Sequence, residues 1–263
     1  MHENEDTSSV YIEHPDMEYR VKCFRAMSAR LHQVAAFVKP CSAVADIGCD
    51  HGYVSIDLLN RGITEKVIAI EVRQGPLIRV QEHCRQAGLQ EQMECRLSDG
   101  MDQLRPGEVD CAVIAGMGGI LMIDILDRAR QRGVLPDSLV LQPQSDIPKV
   151  RGYLPMIGYQ IEKEAFLLDK GKYYTVMRVE RNSQRDDYTE TELVYGRYLL
   201  LDQDPVLYEY LIKEHEDLLR LEKRLQSAIA DTPTEKLQER MPELKRQIAM
   251  NQSAQAYYMN KAE

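Results

Sequence analysis

The sequence predicts a doubly wound α/β sheet that ends in an antiparallel hairpin and is followed by a helical hairpin. Three observations predict it. Between residues 43 and 142, short runs of β-branched and small apolar residues alternate with longer amphipathic stretches, as parallel strands joined by helices do. Glycines break the first of these runs just where a strand would hand over to a helix. After residue 183 glycine nearly disappears and leucine recurs at helical steps.

The expected strands, in order, are 43–47, 66–71, 92–97, 109–115 and 138–142. Between the second and third, Gly75-Pro76 puts proline in a first helical turn, and Leu77, Val80 and Cys84 follow at three- and four-residue steps until Gly88. Gly118-Gly119 opens the next helix, with Leu121, Ile125, Leu126 and Ala129 on one face and Gly133 closing it. Pro148, Gly152 and Gly158 bracket a short helix. Residues 159–168 and 173–180 then read as paired strands around Asp169-Lys170-Gly171-Lys172, which is hairpin chemistry. The polar stretch 182–187 is a linker. Beyond it Leu211, Leu218 and Leu225 repeat every seven residues with Leu207, Leu221 and Ala228 between them, and Glu214 is the one misfit. A second stripe, Leu237, Met241, Leu244, Ile248, Asn251, Gln255 and Tyr258, is interrupted by Pro242, where its helix is expected to start. The stripes serve either as the core of an antiparallel hairpin or as a coiled-coil seam, so the chain reads as a monomer or a weak homodimer. The division expected is an N-terminal extension at 1–26, a sheet domain at 27–183 and a helical hairpin domain at 188–263.

Composition limits the functions. A chain of 263 residues, 44% of them apolar, can bury a full core. Its apolar runs are far shorter than the roughly 20 residues needed to span a bilayer, and its acidic start does not read as a signal sequence. A soluble cytoplasmic protein with no membrane partner is expected. The six cysteines form no C-x-x-C pair and have no histidines at zinc spacing, so they read as reduced thiols and no metal is expected. A net charge of -9 argues against coating nucleic acid non-specifically, yet residues 17–39 set Arg20, Lys22, Arg25, Arg30 and Lys39 against Glu18 alone.

The run Asp46-Ile-Gly48-Cys-Asp50-His-Gly52 locates the chemistry. Gly48 and Gly52 let backbone approach a ligand at the carboxyl edge of the sheet. Dinucleotide enzymes place G-x-G-x-x-G there to cradle a pyrophosphate, which Asp50 would repel. A carboxylate in that turn suits a cation, and S-adenosylmethionine carries a sulfonium and an ammonium. Asp50 stands at the middle glycine of the D/E-x-G-x-G-x-G motif of class I methyltransferases. Glu71, ending the second strand, can accept from both ribose hydroxyls, and Asp99 in Ser98-Asp99-Gly100 can accept from the adenine amine. Each acid has a plainer reading as a helix cap or a surface charge. After the fourth strand, Ala115-Gly116-Met117-Gly118-Gly119 presents almost no side chain. A flat base can lie against its amides, with Met117 on the base face.

Together with Gly75-Pro76-Leu77 and Leu141-Gln-Pro143, these motifs resemble the bacterial tRNA (adenine-N1)-methyltransferases that act at adenine 22 in the D-arm. The similarity takes in Ser28-Ala-Arg-Leu31, Lys172-Tyr-Tyr174 and Tyr195-Gly196, and spans about 27 to 258. Departures are Cys49 for threonine, Glu71 for aspartate, and the N-terminal extension. The resemblance implies a Rossmann-like class I methyltransferase sheet and transfer of a methyl group from S-adenosyl-L-methionine to the adenine N1 of tRNA. The cofactor is expected at Arg30, Asp46, Gly48, Asp50, Gly52, Glu71, Asp99, Gly100 and Gly116, with Arg30 reaching the methionine carboxylate. Substrate contacts are expected from Met117, Gly118 and Gly119 for the base and from Arg20, Lys22 and Arg25 for phosphates. Asp50 and His51 are the candidates for a polar role beside the methyl group, and His51 serves equally well as a helix-start residue with a structural hydrogen bond. A small-molecule methyltransferase and a non-catalytic binding module are the rival readings. The first predicts a lid over an apolar pocket; the second would tolerate loss of Glu71 or Asp99.

Overall fold

The computed structural model describes residues 15–182, 187–232 and 234–259. The N-terminal extension up to residue 14, most of the polar linker, and Pro233 lie outside those residues. Seven strands form one sheet in the order β3-β2-β1-β4-β5-β7-β6. They are β1 (Cys41–Ile47), β2 (Thr64–Glu71), β3 (Met93–Leu97), β4 (Cys111–Gly118), β5 (Ser138–Ser145), β6 (Tyr159–Asp169) and β7 (Lys172–Arg181). The first five pair in parallel, and β7 joins β5 and β6 antiparallel. Central strands are covered on both faces, which is why they lack a polar alternation: Val44 through Ile47 and Val67 through Glu71 are buried, with Asp46 and Glu71 the only charged residues among them. The two-residue turn Lys170-Gly171 has both φ values positive, at 49° and 79°, as a tight primed hairpin turn requires.

Helices divide between the two faces. On one lie α1 (Pro15–Ala26), α2 (Ala29–Phe37), α3 (Tyr53–Asn60) and α4 (Gln74–Gln86), contributing Cys23, Val34, Phe37, Ile56, Leu58 and Val80 to a continuous core. The other core holds Met122, Ile125 and Leu126 of α5 (Gly119–Gln131) and Val150 of α6 (Ile147–Tyr153). Helix α1, absent from the sequence reading, packs on α3 and buries Cys23. Its periodicity is blurred because Met17, Val21 and Phe24 face outward and are exposed.

The terminal part comprises α7 (Glu190–Tyr195), α8 (Arg197–Leu201) and the paired α9 (Pro205–Asp231) and α10 (Glu235–Met259). Helix α10 begins seven residues before Pro242 and runs through it, correcting the expected start. Packing explains this: Leu237 and Met241, ahead of the proline, lie with Leu218, Leu221 and Leu225 of α9 in one apolar cluster, which outweighs one missing backbone hydrogen bond. Glu214, the misfit of the first stripe, accepts from the hydroxyls of Tyr195 and Tyr210, each at 2.7 Å, and from Asn251 Nδ2 at 2.9 Å. A buried ion pair joins this part to the sheet. Arg151 Nε donates to Glu164 Oε1 at 2.8 Å with both side chains at most 1% exposed, Arg151 Nη1 reaches the Leu193 and Val194 carbonyls, and Glu164 Oε2 accepts from the Tyr198 amide. Gly196 fits against it because a Cβ there would stand 2.7 Å from both charged groups.

Candidate active site

The strand order reverses between β1 and β4, so the loops leaving those two strands stand side by side at the carboxyl edge. After β1 the chain turns through Gly48 (φ 70°), Asp50 (φ 52°) and Gly52 (φ 70°), three left-handed residues in five. The Gly48 amide bonds Ile70 O at 2.8 Å, and the Asp50 amide donates to Glu71 Oε1 at 2.5 Å. Glu71 thus fixes the turn with one carboxylate oxygen, and a ribose gripped by both oxygens would have to share that one.

Between the loops lies a cavity of about 240 Å³. Of the residues expected at the cofactor, Arg30, Asp46, Gly48, Asp50 and Gly116 line it, together with His51. Gly52 and Gly100 face packed interior instead: a Cβ at Gly52 would meet Met93 and Val80 at 3.1 Å, and one at Gly100 would meet Ile125 at 3.0 Å. Asp99 is exposed and held by Arg128 Nη2 at 3.0 Å.

Electrostatics differ sharply among the acids. Asp46 is buried and its Oδ2 accepts from Ser55 Oγ at 2.6 Å; desolvation pushes its carboxyl up to about 6 despite that bond. Asp50 is open, 3.7 Å from His51 Nε2 and 3.9 Å from Arg79 Nη2. Burial first, then the charges of Asp46 and Glu71, drive the Cys49 thiol far upward, so it stays protonated. The ring of His51 stacks with Tyr53 at 5.3 Å and His83 at 5.7 Å, and His83 Nδ1 lies 2.8 Å from His51 O.

Strand β4 extends past the predicted end to Gly118, with register shifts between Ala115, Met117 and Gly118. Gly116, at φ 80°, stands in this irregularity with its amide on Gln142 Oε1 at 3.1 Å. Met117 reaches back so that its Cε would be only 2.3 Å from a Cβ on Gly48, hence glycine there. Gly119 is pressed against Ser145 O, 2.4 Å from a would-be Cβ, which ties its small size to packing. Gly118, by contrast, stays partly open.

The sequence reading missed Gln142. Fully buried, it accepts Arg30 Nη1 at 2.6 Å on the same oxygen that takes the Gly116 amide, and donates to Pro143 O. Tyr174 lies under the Arg30 guanidinium at 5.5 Å. Both sit in motifs the sequence displayed, Leu141-Gln-Pro143 and Lys172-Tyr-Tyr174, but nothing local assigns them to Arg30, 112 residues from Gln142. Among the basic residues of α1, Arg20 is committed to the Ala87 and Gly88 carbonyls at 2.8 and 3.5 Å, Lys22 sits 5.6 Å over the Tyr19 ring, and Arg25 is exposed.

A ligand with cationic groups at one end of a carboxylate-bearing tail fits this donor set. Asp46 and Asp50 put negative charge on the cavity wall and Arg30 positive charge, while Gly48 and Gly116 add no side chain to it. Among the described residues, no three His, Cys, Asp or Glu side chains are grouped to hold a metal, and no helix is long and apolar enough to cross a membrane.

Residues 27–177 match the family described as "Methyltransferase domain". The tRNA (adenine(22)-N(1))-methyltransferase of Bacillus subtilis is 28% identical over 214 residues, spanning 80% of this chain and 90% of that protein. A putative tRNA methyltransferase of Mycoplasma pneumoniae is 30% identical over 207 residues, spanning 74% and 89%. The crystal structure of a putative tRNA (m1A22) methyltransferase of Streptococcus pneumoniae in complex with S-adenosyl-L-methionine superposes with a TM-score of 0.74 at 29% identity, covering 87% of this chain and 99% of that one.

Proposed function

The chain belongs to the methyltransferase-domain family and within it to the tRNA (adenine(22)-N(1))-methyltransferases, and from that premise we infer that it transfers a methyl group from S-adenosyl-L-methionine to N1 of adenine 22 in the D-arm of tRNA. The observation that carries the reading is the glycine-walled cavity at the β1/β4 switch point, with Asp46 and Asp50 set against Arg30. A small-molecule methyltransferase would need a lid over an apolar pocket. Here the cavity is lined by the charged and polar side chains of Arg30, Asp46, Asp50, His51 and Gln144.

When bound, S-adenosylmethionine supplies an electrophilic methyl group on a sulfonium. The remaining work is positioning. Arg30, steered by Gln142 and Tyr174, holds the methionine carboxylate, while Asp46 and Asp50 hold the cationic groups. Met117 and the amides at Gly118 and Gly119 steady the base. Adenine N1 offers its own lone pair, so placing it about 3 Å from the methyl carbon in line with the leaving sulfur accounts for the step without a general base. The methylated ring gains positive charge, which the exposed Asp50 carboxylate beside His51 can stabilise. Bringing N1 to the cavity requires the adenine to leave its stack.

The parts serve distinct ends in this reading. Segment 27–183 performs the transfer; Lys22 and Arg25 at the end of segment 1–26, and the exposed Lys213, Lys223, Arg224 and Lys245 of segment 188–263, meet phosphates. The enzyme acts in the cytoplasm, as a monomer or weak homodimer. Incubation with labelled cofactor and an unmodified tRNA transcript, followed by nucleoside analysis, should yield 1-methyladenosine, and a transcript with guanine in place of the target adenine should stay unlabelled. Label on another nucleoside, or equal labelling of the guanine-substituted transcript, would overturn the assignment.

A further inference from the structure

A second cavity, of about 200 Å³, lies where the sheet meets the helical hairpin, and the transfer step makes no use of it. Its wall is built from both parts of the chain: Phe166 of β6 and Tyr173 of β7 from the sheet, Tyr195 of α7, and Tyr210 and Glu214 of α9. The rings of Phe166 and Tyr173 lie nearly parallel, 5.3 Å apart with 6° between planes. Tyr210 stands edge-on to both, at 5.5 and 4.9 Å. Glu214 receives its three donors from Tyr195, Tyr210 and Asn251, and a carboxylate offers about four acceptor sites, so one more N–H can be accommodated.

Its position relates it to the reaction. Strand β7 runs antiparallel to β5, pairing Leu141 with Met177, so residues 173–175 lie level with the carboxyl end of β5. Tyr173 faces this second cavity, while its neighbour Tyr174 supports Arg30 in the first. Ile147, which closes one side, follows the turn whose Ser145 Oγ lies 3.3 Å from where a Gly118 Cβ would be. The two cavities therefore flank one another along one edge of the sheet, separated by β7 and the turn after β5.

We propose that this cavity receives an unstacked nucleobase of the tRNA other than the methylated adenine, held by contact with the aromatic wall and by an N–H donated to Glu214. The proposal rests on the tRNA reading and extends it. The chemistry selects a base over a phosphate, since Glu214 repels anions, whereas single-stranded RNA is recognised by aromatic side chains that stack its splayed bases. It also gives the helical hairpin a role beyond charge, because half of the wall belongs to α7 and α9.

The test uses the full-length protein and tRNA transcripts carrying 2-aminopurine at each unpaired D-arm position in turn. With wild type, fluorescence at one position other than 22 should change on binding. Tyr173→Leu should abolish that change and weaken tRNA binding by roughly tenfold or more, the scale of losing one base–aromatic stack. Cofactor affinity should be unaltered, and Tyr173→Phe should restore both readouts. Phe166→Leu, which removes the partner ring, should behave like Tyr173→Leu and decides the matter if that variant does not fold. Wild-type tRNA affinity in both leucine variants, or no responsive position other than 22, overturns the proposal. Loss of wild-type methylation at adenine 22 would instead sink the functional reading beneath it.

Discussion

Replacing Asp46 by Asn separates what the fold wants from what the reaction wants. The Asp46 carboxyl is buried, and desolvation raises it to about 6 from an ordinary 3.8. A raised carboxyl means that the folded state holds the proton more tightly than the unfolded one. Its contribution to stability is therefore complete below about pH 4 and is lost as pH rises through 6. A shift of about two units corresponds to roughly 3 kcal/mol of destabilisation at pH 8, taken as an upper bound. Asparagine keeps the shape and still accepts the Ser55 hydroxyl through Oδ1 but never ionises. Urea unfolding of the free protein should show the two proteins diverging as pH climbs from 4 to 8, with Asp46→Asn the more stable by up to about 3 kcal/mol at the top. Cofactor affinity should move the other way. In wild type it should strengthen as pH passes 6, because a cationic ligand needs the ionised carboxylate; in the variant it should be about tenfold weaker at pH 8 and flat, as for losing one charge-assisted hydrogen bond. A stability difference that does not change between pH 4 and 8 would refute the buried-carboxylate argument.

Arg151→Met should destabilise by about 3–5 kcal/mol, because it leaves Glu164 buried and unpaired, while Arg151→Met/Glu164→Leu should recover much of the loss in thermal melts. Gly48→Ala should cost about 1–2 kcal/mol for its left-handed backbone alone, and displacing Met117 should also abolish measurable cofactor binding by calorimetry. Gly48→Ala/Met117→Ala should relieve the collision only. Neutralising Arg20, Lys22 and Arg25 together should weaken tRNA binding and flatten its salt dependence at unchanged cofactor affinity. Since Arg20 is bound to the Ala87 and Gly88 carbonyls, Lys22→Ala/Arg25→Ala should account for most of the change in slope, and Arg20→Ala alone should lower the melting temperature instead. An unchanged slope in the Lys22→Ala/Arg25→Ala protein would remove α1 from the tRNA surface.

The sequence by itself determined the elements whose signals are local. Strands buried on both faces carry concentrated runs of β-branched and small apolar residues, so β1, β2, β4 and β5 stand out without any partner. Lys170-Gly171 encodes its own turn, and the leucine stripes encode α9. The glycines and acids after β1 were legible because a turn with positive φ at 48, 50 and 52 restricts which residues can occupy it. Tertiary structure alone decided the rest. Helix α1 escaped because its stripe is divided between Cys23 facing the core and Met17, Val21 and Phe24 facing out. Pro242 proved compatible with a continuous helix only once α9 was packed alongside. Asp99, Gly52 and Gly100 share the ligand motifs but turn toward Arg128, Met93 and Ile125, since side-chain direction depends on neighbours brought in by other elements. Gln142 and Tyr174 came to brace Arg30 beside the cavity only when the crossover placing β4 beside β1 brought Gly116 to Gly48 and set Arg30 across them. Spacing along a chain records periodicity within an element, whereas a site assembled from residues 30, 46, 116 and 142 is a property of strand order, which no local pattern encodes.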